Sequence, residues 1–312
     1  MNAIVVDPGP VETCFPLTAT RPLAACQVGA GGLEAAQLER LAAAALSVGA
    51  AGRGMLCAYV RGDAWLSADS LRALAARQEP AVLRDAEQRP LAWISRTPDC
   101  PPSAPAVAAD PACFLICFPW DLLRINEELV GALDTDLIEG ALSPAAHVEG
   151  RLVLGRGSRI LPGVYIEGNV VIGTNTRVGP NSYLRGATSI GDDCHIGQAV
   201  EIKNSIIMRG TGIGHLSYCG DSIVGAGVNF GAGTITANFR HDGRSHRSLV
   251  DGRLLDTGRR KFGAVIGDDV HTGIHTSIYP GRKLAPHVWT RPGAVIKTDL
   301  YPGAESPTED GK

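Results

Sequence analysis

A proton acceptor, a phenol and a carboxamide lie close together in one stretch, Gly214–Asn238, which reads GHLSYCGDSIVGAGVNFGAGTITAN. His215 is the best candidate base. An ordinary imidazole titrates near 6.5, so at neutral pH it can take a proton from an ammonium or hydroxyl nucleophile. Tyr218 follows, then Asn229 and the glycine-rich run Phe230-Gly231-Ala232-Gly233-Thr234. Glycine at 231 and 233 lets backbone N–H groups come close to a ligand, as an oxyanion or thioester carbonyl needs. A lone histidine on a surface turn is more often inert than catalytic, so its neighbours decide.

Those neighbours can be placed because the stretch lies inside a six-residue repeat. Aliphatic residues occupy Leu154, Ile160, Ile166, Ile172, Val178, Leu184, Ile190, Ile196 and Ile202, every sixth position, with Gly, Asp or Asn crowding the positions between. That period is neither helical nor simply alternating; it marks a parallel β-helix of short strands and turns. Three hexapeptides make one triangular coil, so residues one coil apart stack about 4.8 Å from each other. The aliphatic column becomes the interior ridge, stabilising the coils by about 25 cal/mol per Å² buried. The register slips by one near Gly212, runs through Ile213, Cys219 and Val224, and is recovered at Phe230. Asn238–Gly263 interrupts it with seven Lys/Arg residues, and the pattern resumes at Ile266, Thr272, Ile278, Leu284, Thr290 and Ile296. Phe230 and Ile266 differ by 36, a multiple of six, so the coil is expected to stay partly in phase across the interruption. A long polar insertion in a regular solenoid is usually functional or disordered.

Counting in sixes stacks Glu167, Arg185 and Lys203, spaced 18 and 18, on one corner of successive coils. Two cations at ladder distance repel unless an anion lies beside them. One reading is a surface ladder in which Glu167 pairs with Arg185, worth under about 1 kcal/mol. The other is a phosphate site made by Arg185 and Lys203. His215 then has Glu201 and Lys203 about one coil below and Asn229 one coil above, with Glu201 placed to hold the ring's tautomer. His271 and His275 resemble a metal pair in spacing, but four residues apart on a β-helix do not face the same way, so no metal is assigned.

The chain of 312 residues can bury a sizeable core, and its net charge of −3 carries no long basic run, which argues against nucleic acid as a partner. No apolar segment approaches the roughly twenty residues that cross a bilayer, and Met1–Val6 is too short for a signal peptide, so no membrane partner is expected. Eight cysteines spread over this length suit a reducing compartment better than a disulfide framework, which makes the cytoplasm the expected location. Cys113 and Cys117, with no second Cys/His pair to match them, read as core residues rather than zinc ligands.

Ahead of the repeat, strands alternate with helices as in a small α/β unit. Ala3–Val6, Met55–Val60 and two runs within Ala81–Arg96 read as strands, with helices from Leu33 and over Ala68–Arg77, the latter capped by Ser67 or Asp69. Thr97–Ala109 is a Pro/Ala-rich loop. Asp121–Leu133 shows helical spacing and is the expected joint. The expected organisation is an α/β domain over 1–118, a linker helix over 119–146, a hexapeptide-repeat domain over 147–301 with an inserted loop at 238–263, and a disordered tail over 302–312.

Four motifs carry a resemblance: LRGA at Leu184–Ala187, VEIKN at Val200–Asn204, GHLSY at Gly214–Tyr218 and NFGAGTITAN at Asn229–Asn238. Over roughly 148–300 the chain resembles the acetyltransferase half of the bifunctional UDP-N-acetylglucosamine pyrophosphorylase/glucosamine-1-phosphate N-acetyltransferase family. The resemblance implies a β-solenoid, specifically a left-handed parallel β-helix preceded by a small α/β domain, forming homotrimers with active sites between subunits. It implies acetyl-CoA as cosubstrate and an amino-sugar 1-phosphate as acceptor, with no metal needed for acetyl transfer. By the same resemblance Arg185, Lys203 and Tyr218 hold the sugar phosphate, and His215 is the general base, assisted by Asn229 and Glu201. Ala232 and Gly233 lie at the coenzyme, and the insertion ending Gly258-Arg259-Arg260-Lys261-Phe262-Gly263 brings positive charge to coenzyme A phosphates (Arg259, Arg260) or to the sugar phosphate (Lys261). Ile274 stands where relatives tend to carry a serine. PLTATRP and FPWDLLRIN tie the N-terminal part to a divergent branch of the same family. That part is short for a nucleotidyltransferase and lacks the Gly-rich loop with a following Arg and Lys, which argues against uridylyl transfer. The expected activity is N-acetyl transfer in nucleotide-sugar biosynthesis. The rivals are a bifunctional enzyme that also makes the nucleotide sugar, and a non-catalytic trimeric scaffold that binds sugar nucleotides.

Overall fold

Short apolar strands alternating with two helices give the N-terminal part a six-stranded mixed sheet. Its order is Ser47–Val48, Asn2–Val6, Cys57–Arg61, Pro90–Ser95, Ala81–Arg84 and Ala106–Ala108. The computed structural model describes residues 1–50 and 54–303 and divides into two compact units. The first comprises Met1–Val11, Pro22–Ala25 and Gly32–Cys117. Helix α1 (Leu33–Ala43) and helix α2 (Ala68–Ala75) carry Leu41, Leu71 and Leu74 into the core formed with Ala58, Val60, Leu83 and Ile94. Ser67 caps α2, its hydroxyl accepting the Ser70 N–H at 3.1 Å, which satisfies one of the free donors of the first turn. The strand Ala106–Ala108 lies inside the stretch read as loop; Val82 and Leu83 of its parallel neighbour give it the pairing that propensity alone did not suggest.

The second unit takes Glu12–Arg21, Cys26–Gly31 and the chain from Phe118 onward. Helix α3 (Pro119–Gly131) opens with Pro119 in the first turn, and the Asp121 carboxylate accepts the Phe118 N–H at 2.9 Å. Leu122, Ile125 and Val130 of α3 are fully buried. So is Asn126, whose amide oxygen accepts from the Gly29 N–H and the Ser189 hydroxyl while its nitrogen donates to the Ala187 carbonyl. Residues 12–21, expected in the N-terminal α/β domain, fold with the second unit. Thr20 donates to Asp268 at 2.5 Å and Arg21 pairs with the same carboxylate.

From Leu137 the period closes into three parallel sheets of eight, seven and eight strands, a β-solenoid whose first coil starts ahead of the boundary read at 147. Face one runs through Leu152–Leu154, Val170–Ile172, Thr188–Ile190, Ile206–Ile207 and Ile223–Val224. Face two runs through Arg159–Ile160, Arg177–Val178, His195–Gln198, Gly212–His215 and Asn229–Phe230. Face three runs through Tyr165–Glu167, Tyr183–Arg185, Glu201–Lys203, Tyr218–Gly220 and Ile235–Thr236. The aliphatic column is the interior: Leu154, Ile160, Ile166, Ile172, Val178, Leu184, Ile190, Ile196 and Ile202 are each no more than 2 % exposed.

The slip expected near Gly212 occurs twice, once before that residue and once after it. Arg185 pairs with Lys203 but Ser189 pairs with Ile206, and Lys203 pairs with Gly220 but Ile206 with Ile223. The corner from face three to face one therefore loses one residue at Asn204 and again at Asp221. Both residues sit in the left-handed region, φ 46° and 49°, which Asn and Asp tolerate better than most L-residues. On the next coil the same corner opens into the insertion, and Val224 pairs with Ile266 beyond it, so the solenoid resumes in phase. The insertion is not without structure: Arg247–Val250 and Arg253–Asp256 form an antiparallel hairpin. The expected tail lies, from residue 304, outside the described residues.

Candidate active site

Face three and its two flanking corners gather the polar residues. In register, Tyr183, Glu201 and Tyr218 form one outward column and Glu167, Arg185, Lys203 and Gly220 the next. The stack of Glu167, Arg185 and Lys203 is therefore real, but the expected Glu167–Arg185 pair is not formed. Glu167 accepts from the Tyr183 hydroxyl, while Arg185 reaches diagonally to Glu201, its Nε and Nη2 lying 2.8 and 2.7 Å from Oε1. A long guanidinium arm favours this diagonal because Lys203, a like charge, occupies the position directly above. Lys203 is held in turn by Asp221, Nζ to Oδ2 2.7 Å, with the two side chains only 14 % and 4 % exposed.

Asp221 is the hub of a cluster the sequence reading missed. Its Oδ2 also accepts from Asn238 Nδ2 at 2.5 Å, and its Oδ1 from Asn204 Nδ2 at 3.1 Å. Asn238 donates to the Tyr218 hydroxyl at 2.9 Å, and Asn204 to Glu127 of α3 at 2.7 Å. Two signals lay in the sequence: the 18-residue step from Lys203 to Asp221, which continues the column of Glu167, Arg185 and Lys203, and the one-residue slip, which puts Asn204 and Asp221 on adjacent corners. Burial first, then the charges of Asp221 and Glu201, push the Tyr218 phenol up to about 12. It keeps its proton at neutral pH and can donate it while accepting from Asn238.

His215 ends its face-two strand at the corner leading into face three. Gln198 lies one coil below. One coil above is the glycine-rich corner, where the Gly233 N–H donates to the His215 carbonyl at 3.2 Å. Gly233 has φ 73°, a conformation that glycine adopts without strain, and a Cβ there would lie 2.6 Å from His275 Nδ1 and displace that exposed ring. Ala232 sits at the same corner, its carbonyl accepting the His275 N–H. His215 is exposed; burial first, then Arg177 and His215, hold His195 below its ordinary range. Asn229 stacks over Gly212 and under His271, three positions before the His215 corner rather than above the ring. Glu201 stacks under Tyr218 and is engaged by Arg185; among the described residues it makes no hydrogen bond to the imidazole, so the expected tautomer-holding contact is not formed within the chain.

The insertion's cations part company. Arg259 turns inward to Glu127 of α3, with Nη1 to Oε2 at 3.2 Å, and braces the loop. Arg260 donates to the Gly243 carbonyl at 3.1 Å, and Lys261, exposed, bridges antiparallel to Phe239.

Among known proteins, residues 166–288 match a family model described as the GMPPB C-terminal domain. Over 182 residues, 58 % of this chain, it is 41 % identical to a protein of Sulfurisphaera tokodaii named bifunctional sugar-1-phosphate nucleotidylyltransferase/acetyltransferase. Over the same length it is 40 % identical to a bifunctional protein GlmU of Methanocaldococcus jannaschii and 50 % identical to one of Methanococcus maripaludis. The chain spans less than half the length of these curated relatives, 45 %, 44 % and 44 % respectively.

Proposed function

We propose, from a β-helix homologous to bifunctional nucleotidylyltransferase/acetyltransferases, that this chain is an acetyl-CoA-dependent N-acetyltransferase acting on an amino-sugar 1-phosphate in nucleotide-sugar biosynthesis. The observation that carries the reading is the exposed His215 between a glycine-lined corner and a face bearing Tyr218, Arg185 and Lys203. One side offers close backbone approach to a thioester, the other offers cations to a phosphate. In this reading His215 takes a proton from the acceptor ammonium. The freed amine nitrogen attacks the thioester carbonyl, the new C–N bond forms as the C–S bond breaks, and the proton the nitrogen then sheds is matched by the one the departing thiolate takes up, leaving the amide and the coenzyme thiol. Asn229, Ala232 and Gly233 border the acyl donor; Glu201 acts by fixing Arg185, and Lys261 adds charge from the loop.

Leu216 and Ile274 are 64 and 51 % exposed around the same corner, large apolar side chains that favour a second copy of the chain there. A homotrimer in the cytoplasm, with the cleft shared between copies, is therefore part of the proposal. Thiol release from acetyl-CoA against a panel of amino-sugar 1-phosphates tests it: turnover is expected in the wild type and a drop of about 10²–10⁴-fold in His215→Ala. Unchanged turnover in a folded His215→Ala variant would sink the mechanism. No turnover with any acceptor, alongside retained sugar-nucleotide binding, would favour the scaffold; pyrophosphate release from UTP and a sugar 1-phosphate would favour the bifunctional enzyme.

A further inference from the structure

Above the acceptor face, the inserted hairpin and the last coils enclose a cleft of about 710 Å³, within the roughly 300–1,000 Å³ typical of small-molecule pockets. Its charged lining is lopsided: Arg240, Arg247, Arg282 and Lys297 stand against Asp242 in a protein whose net charge is −3. Asp242 is taken up by Arg240, Nη2 to Oδ2 2.6 Å. Arg282 donates to the Pro280 and Arg247 carbonyls and lies 3.6 Å from Asp299. Arg247 and Lys297 are left exposed along the cleft, with no carboxylate in salt-bridge range among the described residues. Beside them Phe239 and Tyr279 are each 48 % exposed and Leu254 is 52 % exposed.

Cations alone would suit any anion. Exposed rings beside them suit an anion that also carries a flat aromatic group, since a base stacks on such a surface while the guanidinium and ammonium take the phosphates. We propose that this cleft binds a nucleoside phosphate. The cleft adjoins the acceptor face, because His246 on its wall hydrogen-bonds the Asn238 carbonyl at 2.9 Å and the Asn238 side chain holds Tyr218. The nucleoside phosphate is thus the nucleotide part of a sugar nucleotide or the adenosine phosphate of a coenzyme. The assignment stands on the lining of the cleft and does not require acetyl transfer.

Calorimetry on the full chain with UDP, 3′,5′-adenosine diphosphate and inorganic phosphate tests it. At least one nucleoside diphosphate is expected to bind about tenfold or more tightly than phosphate. The tighter of the two identifies the source: UDP a sugar nucleotide, the adenosine diphosphate a coenzyme. Arg247→Ala/Lys297→Ala should weaken that ligand about tenfold, and Tyr279→Ala about threefold or more, with thermal unfolding showing each variant folded. Binding is read on the wild type without turnover, which keeps this site separate from the acetyl-transfer reading. Phosphate binding as tightly as both nucleotides, or equal affinity in the folded double variant, would overturn the assignment.

Discussion

Two stretches of the same solenoid obey different rules. Between Leu152 and Lys203 the coils repeat every 18 residues, each corner is filled by small or turn-forming residues, and the interior is a column of aliphatics. From Asn204 to Gly263 the corner between faces three and one is shortened twice and then opened into a loop. Apolar burial holds the first stretch; in the second a charged and amide cluster around Asp221 shares the load. The candidate chemistry lies beside the second. A strict repeat gives every coil the same environment, and a site needs one coil unlike the others.

That contrast can be broken from either side. The largest effect is expected at His215. Its replacement by Gln, the residue one coil below at Gln198, should cut acetyl transfer about 10²–10⁴-fold while circular dichroism keeps the solenoid signature. Next is Asp221→Ala, which strands the largely buried Lys203 ammonium; urea unfolding should show a loss of about 3–5 kcal/mol. Leu184→Ala in the regular coils should cost about 2–5 kcal/mol through a cavity, with turnover per folded molecule unchanged. A smaller effect on Asp221→Ala than on Leu184→Ala would mean that the broken corner contributes little to stability.

The smallest effect concerns pH. Asp299 is 2 % exposed, and its Oδ2 is buried without a hydrogen-bond partner. Burial raises its pKa above 3.8. The folded state therefore holds the proton more tightly than the unfolded chain, and stability falls as pH rises from 3.8 through the raised value. Lys283 beside it is the mirror case. Burial lowers its pKa from 10.5, so the unfolded chain binds more protons there and stability rises between the lowered value and 10.5. Asp299→Asn should flatten the acid-side slope of melting temperature against pH; an unchanged slope would assign it to other carboxylates.

The regular stretch was legible because a six-residue period acts locally: each hexapeptide reports its own burial, so Ile172 or Leu184 needed no knowledge of the rest. The columns of Arg185 and Lys203 followed from counting alone. What the count could not supply was which neighbour each charge would choose. Arg185 prefers Glu201 to Glu167, and Lys203, with Gly220 directly above it, reaches Asp221 at the neighbouring corner. The docking of Thr20 and Arg21 on Asp268 was hidden for another reason: partners some 248 residues apart leave no periodic trace.

The insertion leaves and re-enters at one vertex. The Phe262 N–H donates to the Asn238 carbonyl at 3.0 Å and the Gly263 N–H to the Asp221 carbonyl at 2.8 Å, so the two ends are stitched together before the coil resumes. Beyond that stitch the hairpin rests on the last coils without entering their register: the Ser248 hydroxyl donates to the Gly281 carbonyl at 3.2 Å and the Lys283 ammonium to the Leu249 carbonyl at 2.8 Å. Its length and composition can change without a frameshift in the stack. Such a vertex behaves as a socket: a lineage, or an engineer, can exchange the recognition element while the acyl-transfer corner at His215 stays in place.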